Sequence, residues 1–243
     1  MAENLRRELH DLTAQARDLL EDLGRLGLGE IALPDLPDQL PVCPPAIRGI
    51  GEGGEELCRR ETLEEIRTEL EDCRRCPLCQ GRKRVVFGVG DPRARVVFVG
   101  EAPGREEDET GEPFVGEAGR LLDRILLAMG LSRPEVYICN VIKCRPPGNR
   151  DPQPEEIAAC EPYLKRQLAA IRPQLIVTLG KFAAQTLLQD PSPISRLRGH
   201  WREYQGIPLM PTFHPAYLLR TPSGKREVWE DMKQVLARLR AEG

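Results

Sequence analysis

The sequence lacks any long apolar run, and this absence excludes whole classes of protein. No stretch approaches the roughly 18 consecutive apolar residues of a membrane-spanning helix, and the mean hydropathy is −0.40. The opening residues, MAENLRRELHDL, contain no apolar core typical of a secretory signal. We therefore expect a cytoplasmic protein that makes no contact with a membrane.

The sequence also has little net charge. Its 243 residues include 35 Lys and Arg against 38 Asp and Glu, a net charge of −3, which argues against nucleic-acid binding. The charge is uneven, however. Residues 1–72 hold 8 basic and 18 acidic side chains, a balance of −10, and residues 73–243 hold 27 and 20, a balance of +7. Because a phosphate-binding surface depends on local charge, the basic part keeps nucleic acid as a candidate partner.

The first 60 residues are predicted to be separate from the main domain. Residues 1–26 carry a heptad seam and predict an amphipathic N-terminal helix, which either lies on its own domain or docks a protein partner. Residues 27–60 are rich in Pro and Gly and predict a linker. The main domain then covers residues 61–243. The seam consists of Leu5, Leu9, Leu12, Ala16, Leu19, Leu23 and Leu26.

Apolar strands alternate with helices along the main domain, and no internal repeat interrupts them. The alternation predicts an α/β fold of three layers, α/β/α, with a central, mainly parallel four-stranded sheet and an N-terminal helical extension. In such sheets the functional site lies at the carboxyl ends of the strands. The predicted strands are 96–99, 136–141, 175–179 and 207–211, and the predicted helices are 61–72, 117–129, 154–170, 181–188 and 226–240.

Eight cysteines in a chain of this kind point to metal or redox chemistry before disulfides. Two thiolates close in sequence and two distant ones suit a closed four-ligand site, which is either tetrahedral zinc or a [4Fe–4S] cluster. The spacing alone does not separate the two. Cys139 lies inside an apolar strand and is predicted to be a buried free thiol. The candidate ligands are Cys73, Cys76 and Cys79, followed far downstream by Cys144 and Cys160.

Six motifs occur along the chain in the order GEAPG, GEPFVG, YICNVIKCRPPGNRDP, IVTLG, LRG and HPAYLLR. Their order and spacing resemble those of the family 4 uracil-DNA glycosylases, the branch that carries an iron–sulfur cluster, and the resemblance covers about residues 73–233. The resemblance implies a DNA repair enzyme that flips uracil out of DNA, hydrolyses its N-glycosidic bond and leaves an abasic site without cutting the strand. Gly104 at the end of the first motif favours the narrow, uracil-specific branch.

The resemblance also implies which residues act. Its cofactor is a [4Fe–4S] cluster on Cys73, Cys76, Cys144 and Cys160, with Cys79 an extra thiol. The catalytic residues are Glu101, which would orient or activate water, and His214, which would donate to uracil O2. The uracil-binding residues are Ala102, Glu107, the stacking residue Phe114 and the base-reading residue Asn140. The DNA-binding residues are the wedge Leu218, presented on an insertion loop, with Arg220, Lys143, Arg145, Arg150 and Arg198; Asn149 is a weaker candidate.

Two other functions stay open at this point. A non-catalytic protein could bind uracil or damaged DNA through the same motifs, and a zinc-stabilised interaction protein could use the cysteines alone. Multiple turnover on uracil-containing DNA separates the enzyme from both. The catalytic domain is expected to be monomeric, with uracil-containing DNA as its partner.

Overall fold

A computed structural model describes residues 61–241, which form three layers around one six-stranded sheet. The predicted α/β/α class is confirmed, with two more strands than expected. The predicted helix of residues 1–26 and linker of residues 27–60 lie outside the described residues, so the domain boundaries stay predictions. The sheet order is β1-β3-β2-β4-β6-β5. The strands are β1 (Val89–Gly90), β2 (Val96–Gly100), β3 (Tyr137–Asn140), β4 (Leu175–Leu179), β5 (Arg202–Tyr204) and β6 (Ile207–Thr212).

The four predicted strands are the parallel centre of the sheet. β2 pairs with β3 and β4, and β4 pairs with β6, all parallel. They are apolar because helices cover both faces, and a parallel strand of this kind is buried on both sides. The two additional strands, β1 and β5, pair antiparallel at the edges. With two and three residues and partial exposure, they lack the apolar run by which a strand is recognised.

Alternate residues of each central strand pack into separate cores. Phe98 of β2 belongs to a cluster with Leu122 and Met232 on one face, whereas its neighbour Val97 belongs to a cluster with Leu164 on the other. This follows from the two-residue period of a strand. The sheet is therefore held from both sides, and its carboxyl edge is a rigid base for the loops that leave it.

The long predicted helices agree with the structure. Three short helices, of four to six residues, were not predicted because they span too few turns to show a helical period. No helix within residues 61–241 has the length and apolar character to cross a bilayer. The helices are α1 (Leu63–Glu71), α2 (Arg105–Thr110), α3 (Glu117–Ala128), α4 (Pro154–Ile171), α5 (Lys181–Leu188), α6 (Ile194–Leu197), α7 (Pro215–Arg220) and α8 (Gly224–Ala241).

Candidate active site

A cavity of about 580 Å³ opens at the carboxyl edge of the parallel strands. The loops after β2, β3 and β6 all contribute to its walls, as the strand order requires, because parallel strands end at the same edge. Its lining includes Glu101, Ala102, Glu107, Phe114, Asn140, Asn149, Arg150, His214 and Arg220. The remaining predicted uracil- and DNA-binding residues, Lys143, Arg145, Arg198 and Leu218, do not line it.

Asn140 brings an unpaired acceptor to this cavity. It is the last residue of β3, and its side chain is buried. Its Oδ1 has no hydrogen-bond partner among the residues that the structure describes. A buried polar atom without a partner carries a desolvation cost of about 1–3 kcal/mol, which a ligand donor would remove. Asn140 Oδ1 is therefore suited to receive an N–H group from a molecule in the cavity.

Phe114 stands beside Asn140 in a strained but well-supported conformation. Its φ is 57°, in the left-handed region that non-glycine residues seldom adopt. Arg133 Nη1 donates to the Phe114 carbonyl at 3.0 Å, and the Gly119 backbone approaches that carbonyl so closely that a Cβ would lie 1.8 Å from its oxygen. The ring stacks on His214 with centroids 5.6 Å apart. The strain is consistent with a ring that is fixed for a binding role.

Glu107 lines the cavity but uses its carboxylate on the protein. Oε1 accepts from the N–H groups of Val115 and Gly116, each at 3.0 Å, and Oε2 accepts from Gly104 N–H at 3.1 Å. The carboxylate therefore ties the loop after β2 to the loop that carries Phe114. This gives Glu107 a positioning role at the cavity wall.

His214 has a defined tautomer. It caps α7, where its Nδ1 accepts from Ala216 N–H at 3.1 Å, so Nε2 is the nitrogen that carries a proton in the neutral ring. Burial lowers the pKa of His214 to about 4; the charge of Arg220 adds to this effect and Glu107 opposes it. Near neutral pH the residue is a neutral imidazole with one N–H donor.

Glu101 follows β2 directly and is partly buried in the cavity wall. Burial raises the pKa of Glu101 to about 7, the negative charge of Asp151 adds to the rise, and Lys181 opposes it. A carboxyl group that titrates near neutral pH is suited to accept a proton during a reaction. Asp151, which also lines the cavity, was not identified from the sequence as part of the site.

Two predicted phosphate contacts are engaged within the protein, one of them fully buried (Lys143) and the other with a side chain that is 18% exposed (Arg198). Lys143 is 0% exposed, and its Nζ donates to the Asn140 carbonyl and to Gln167. Arg198 is paired with the buried Asp231, whose carboxylate also accepts from the Thr212 hydroxyl at 2.6 Å. The Lys143 side chain is therefore closed to a phosphate in this structure, and Arg198 already donates to the Asp231 carboxylate.

The predicted wedge, Leu218, lies on a helix in the core and not on an exposed loop. The segment expected to be an insertion loop is helix α7, and Leu218 is 1% exposed in the core beside α3 and α8. Its neighbours Tyr217 and Leu219 are 36% and 39% exposed. A helix turns each successive side chain by about 100°, so the buried face of α7 carries Leu218 and the outer face carries these two.

The remaining predicted DNA contacts lie nearer the surface. Arg150 donates to the buried carboxylate of Glu156, and this pair supports the start of α4. Arg145 Nε donates to Asn149 Oδ1 at 2.7 Å. Arg220, at the end of α7, is exposed at the cavity mouth. Of the predicted cations, Arg145, Arg150 and Arg220 are accessible to a ligand at this edge.

The predicted metal ligands approach one another. Burial raises the pKa of the Cys76, Cys144 and Cys160 thiols, and in each case other thiols of the set add to the rise. Arg82 Nη1 donates to Cys144 Sγ at 3.3 Å. Within residues 61–241, no three His, Cys, Asp or Glu side chains are already arranged as a metal site. An all-sulfur donor set with a cation beside it still fits the chemistry of zinc or an iron–sulfur cluster.

Gly100 was missed as a site residue. A Cβ there would lie 2.4 Å from both Asn140 Oδ1 and Phe114 Cζ. The sequence offered one signal, a glycine that ends an apolar strand just before polar residues, where strand glycines often mark a close approach.

Comparison with known proteins adds an independent finding. The model of the family described as "Uracil DNA glycosylase superfamily" matches residues 87–233. The chain is 47% identical over 183 residues to a type-4 uracil-DNA glycosylase of Archaeoglobus fulgidus, covering 72% of this chain and 92% of that protein. It is 45% identical over 189 residues to the type-4 protein of Thermotoga maritima, covering 76% and 98%. Similarity to a type-5 uracil-DNA glycosylase of Pyrobaculum aerophilum is lower, 32% over 170 residues, covering 63% and 74%.

Proposed function

The chain belongs to the uracil DNA glycosylase superfamily, and we propose that it is a monofunctional type-4 uracil-DNA glycosylase. It flips uracil out of DNA, hydrolyses the N-glycosidic bond and leaves an abasic site, the first step of base-excision repair. One observation carries this proposal: the unpaired, buried Oδ1 of Asn140 beside the Phe114 ring in the cavity.

Uracil is selected by the pattern of its donors and acceptors. Asn140 Oδ1 accepts from uracil N3–H, and its amide nitrogen donates to uracil O4. Cytosine presents the opposite pattern at both positions. A site that hydrogen-bonds one pattern rejects the other by about 10⁴–10⁵. Phe114 adds stacking of about 1–3 kcal/mol, which does not distinguish the bases by itself.

His214 stabilises the leaving group. As the bond between C1′ and N1 breaks, its electron pair passes to the uracil ring and negative charge develops on O2. The neutral His214 donates its Nε2–H to that oxygen, and Nδ1 stays fixed by Ala216 N–H. A preorganised donor of this kind acts where charge appears in the transition state.

Glu101 completes the hydrolysis. A water oxygen forms the new bond to C1′, and the proton lost by that water passes to the ionised Glu101. The carboxylate charge also favours the cationic sugar that forms as uracil departs. With a pKa of about 7, a substantial fraction of Glu101 is ionised at neutral pH, and the carboxylate remains basic enough to accept the proton.

The DNA surface surrounds the cavity mouth. Arg145, Arg150 and Arg220 are proposed to bind phosphates. Tyr217 and Leu219, the exposed apolar side chains of α7, are proposed to fill the gap that uracil leaves, in place of the buried Leu218.

A [4Fe–4S] cluster is proposed on Cys73, Cys76, Cys144 and Cys160. The cluster would have a structural role, because it would join the start of the domain to the segment 144–160 and lower the conformational entropy of the long loop between them. The support is the all-sulfur donor set and the raised pKa of the Cys76, Cys144 and Cys160 thiols, to which neighbouring thiols of the set contribute.

Uracil release from a single-uracil DNA strand, detected by alkaline cleavage, tests the function. Wild type, Asn140→Ala and His214→Ala are compared, with cytosine and thymine strands as controls. The matched control variant is His200→Ala, which changes a surface histidine outside the cavity. Turnover on uracil alone, reduced at least about 100-fold in the two site variants and unchanged in the control, is the expected result. Binding without release by wild type would support the non-catalytic alternative.

Three further expectations stay predictions: a monomeric catalytic domain, a cytoplasmic location and a protein partner for residues 1–26. Mass measurement of the full chain in solution tests the first.

A further inference from the structure

Lys143 lies between the base-reading residue and the cysteine-bearing segment, and it is fully buried. Its Nζ donates to the main-chain carbonyl of Asn140 at 2.7 Å and to Gln167 Oε1 at 2.5 Å. Its own carbonyl accepts from Val86 N–H at 2.8 Å. A lysine that reaches no solvent has no access to DNA phosphate, so a different purpose must account for the cost of burying it.

Gln167 extends these contacts into a network. Its Nε2 donates to the Phe87 carbonyl at 3.0 Å and to the Tyr137 hydroxyl at 3.3 Å. Gln167 is itself fully buried on α4, and Tyr137 is the first residue of β3. The network therefore holds both ends of β3, the hydroxyl at Tyr137 and the carbonyl at Asn140.

The main chain of Lys143 connects this network to the cysteines. Its backbone N–H interacts with the Cys160 thiol, and the next residue is Cys144. One residue thus contacts the main chain of Asn140 through its side chain and the cysteine-bearing segment through its backbone.

Resting on the proposed function, we infer that Lys143 is a positioning residue that fixes the main chain of Asn140 and thereby holds its carboxamide against uracil. The physical need is specific. No protein group pairs with Asn140 Oδ1 among the described residues, so no contact at that atom holds the carboxamide in place. The position of the carboxamide depends on the backbone that carries it, and Lys143 is the side chain that holds the carbonyl of that backbone.

A double-mutant cycle tests this inference. Lys143→Met keeps the length of the side chain and removes its donors. It is measured alone, with Asn140→Ala, and, as the matched control, with His214→Ala. If Lys143 acts through Asn140, Lys143→Met lowers kcat/KM for uracil about 10-fold or more alone and in the His214→Ala protein, but less than about 2-fold in the Asn140→Ala protein. Equal losses in all three backgrounds, or no loss alone, would overturn the inference.

Two measurements separate positioning from general damage. Leu168→Ala, a buried change on α4 next to Gln167, provides an equally internal perturbation without the network. Leu168→Ala is expected to lower the melting temperature but to change kcat/KM by the same factor in wild type and in the Asn140→Ala protein. If Lys143→Met does not fold, Gln167→Met removes the second partner of the Lys143 amino group and is put through the same cycle. A loss that does not depend on Asn140 would again overturn the inference.

The failure of the proposed function has a different signature. In that case wild type releases no uracil. The cycle is then measured as affinity for DNA carrying 2′-fluoro-2′-deoxyuridine, whose glycosidic bond resists hydrolysis. Coupling between Lys143→Met and Asn140→Ala in that binding would uphold the positioning role in a binding protein, and its absence would refute the role.

Discussion

Replacing Gly100 with alanine should disable the base-binding site while leaving the sheet intact. Gly100 ends β2 with a backbone conformation that any residue can adopt, and it pairs with Asn140 across the two strands. The added Cβ would lie 2.4 Å from Asn140 Oδ1 and 2.4 Å from Phe114 Cζ. The change therefore acts on the two groups proposed to hold uracil and introduces no backbone strain.

The magnitude follows from these distances. Ordinary contacts begin at 3.4 Å, so Asn140 and Phe114 must each retreat by about 1 Å. A displacement of about 1 Å at a reacting centre costs about 100-fold in rate, and overpacking costs about 1–3 kcal/mol of stability. We expect Gly100→Ala to lower kcat/KM for uracil about 100-fold, with a fold that is still cooperative.

The assay is single-turnover release of uracil, with thermal melting measured in parallel. Gly81→Ala is the matched control, because a Cβ at Gly81 meets no atom within 4 Å and the backbone there is right-handed helical. It should keep wild-type activity. A Gly100→Ala protein with a kcat/KM for uracil within threefold of wild type would refute the reasoning, since uracil release would then not depend on the positions of Asn140 and Phe114.

Four other substitutions and one pH profile test separate parts of the proposal. Glu101 is proposed to act as the carboxylate, and its pKa is about 7, so the activity of wild type should rise with pH through about 7. Glu101→Gln should be about 100-fold slower and should lack that rise. A Glu101→Gln protein with the pH profile of wild type would exclude Glu101 as the base. His214, with a pKa of about 4, should add no titration between pH 5 and 8. Leu218→Ala should lower the free energy of unfolding by about 2–5 kcal/mol. Leu219→Ala should leave the melting temperature unchanged and slow uracil release from duplex DNA. Equal losses of stability in the two variants would contradict the different burial of the two side chains. Cys144→Ser should abolish stoichiometric iron and lower the melting temperature, and full iron content in this variant, or zinc in wild type, would refute the proposed cluster.

Much of the architecture was predictable because it depends on local pattern. The strands that became β2, β3, β4 and β6 are apolar on both faces, and the helices between them have clear periods. The alternation of strands and helices favours a parallel sheet, and in a parallel sheet the carboxyl ends of the strands lie at one edge. For that reason the sequence predicts that Glu101, Asn140 and His214 lie near one another.

The sequence by itself determined the α/β/α class, the parallel centre of the sheet, the edge at which the site lies and the residue types around it. Only the tertiary structure decided which charged and apolar side chains face outward. Lys143 and Arg198 resemble DNA contacts in a linear sequence, but Gln167 and Asp231, which lie 24 and 33 residues farther along, satisfy them internally. Leu218 is buried and Leu219 exposed because α7 turns one face to the core. Each outcome depends on partners that only the folded chain brings together, since burial of a charge or an apolar group is decided by its neighbours in space.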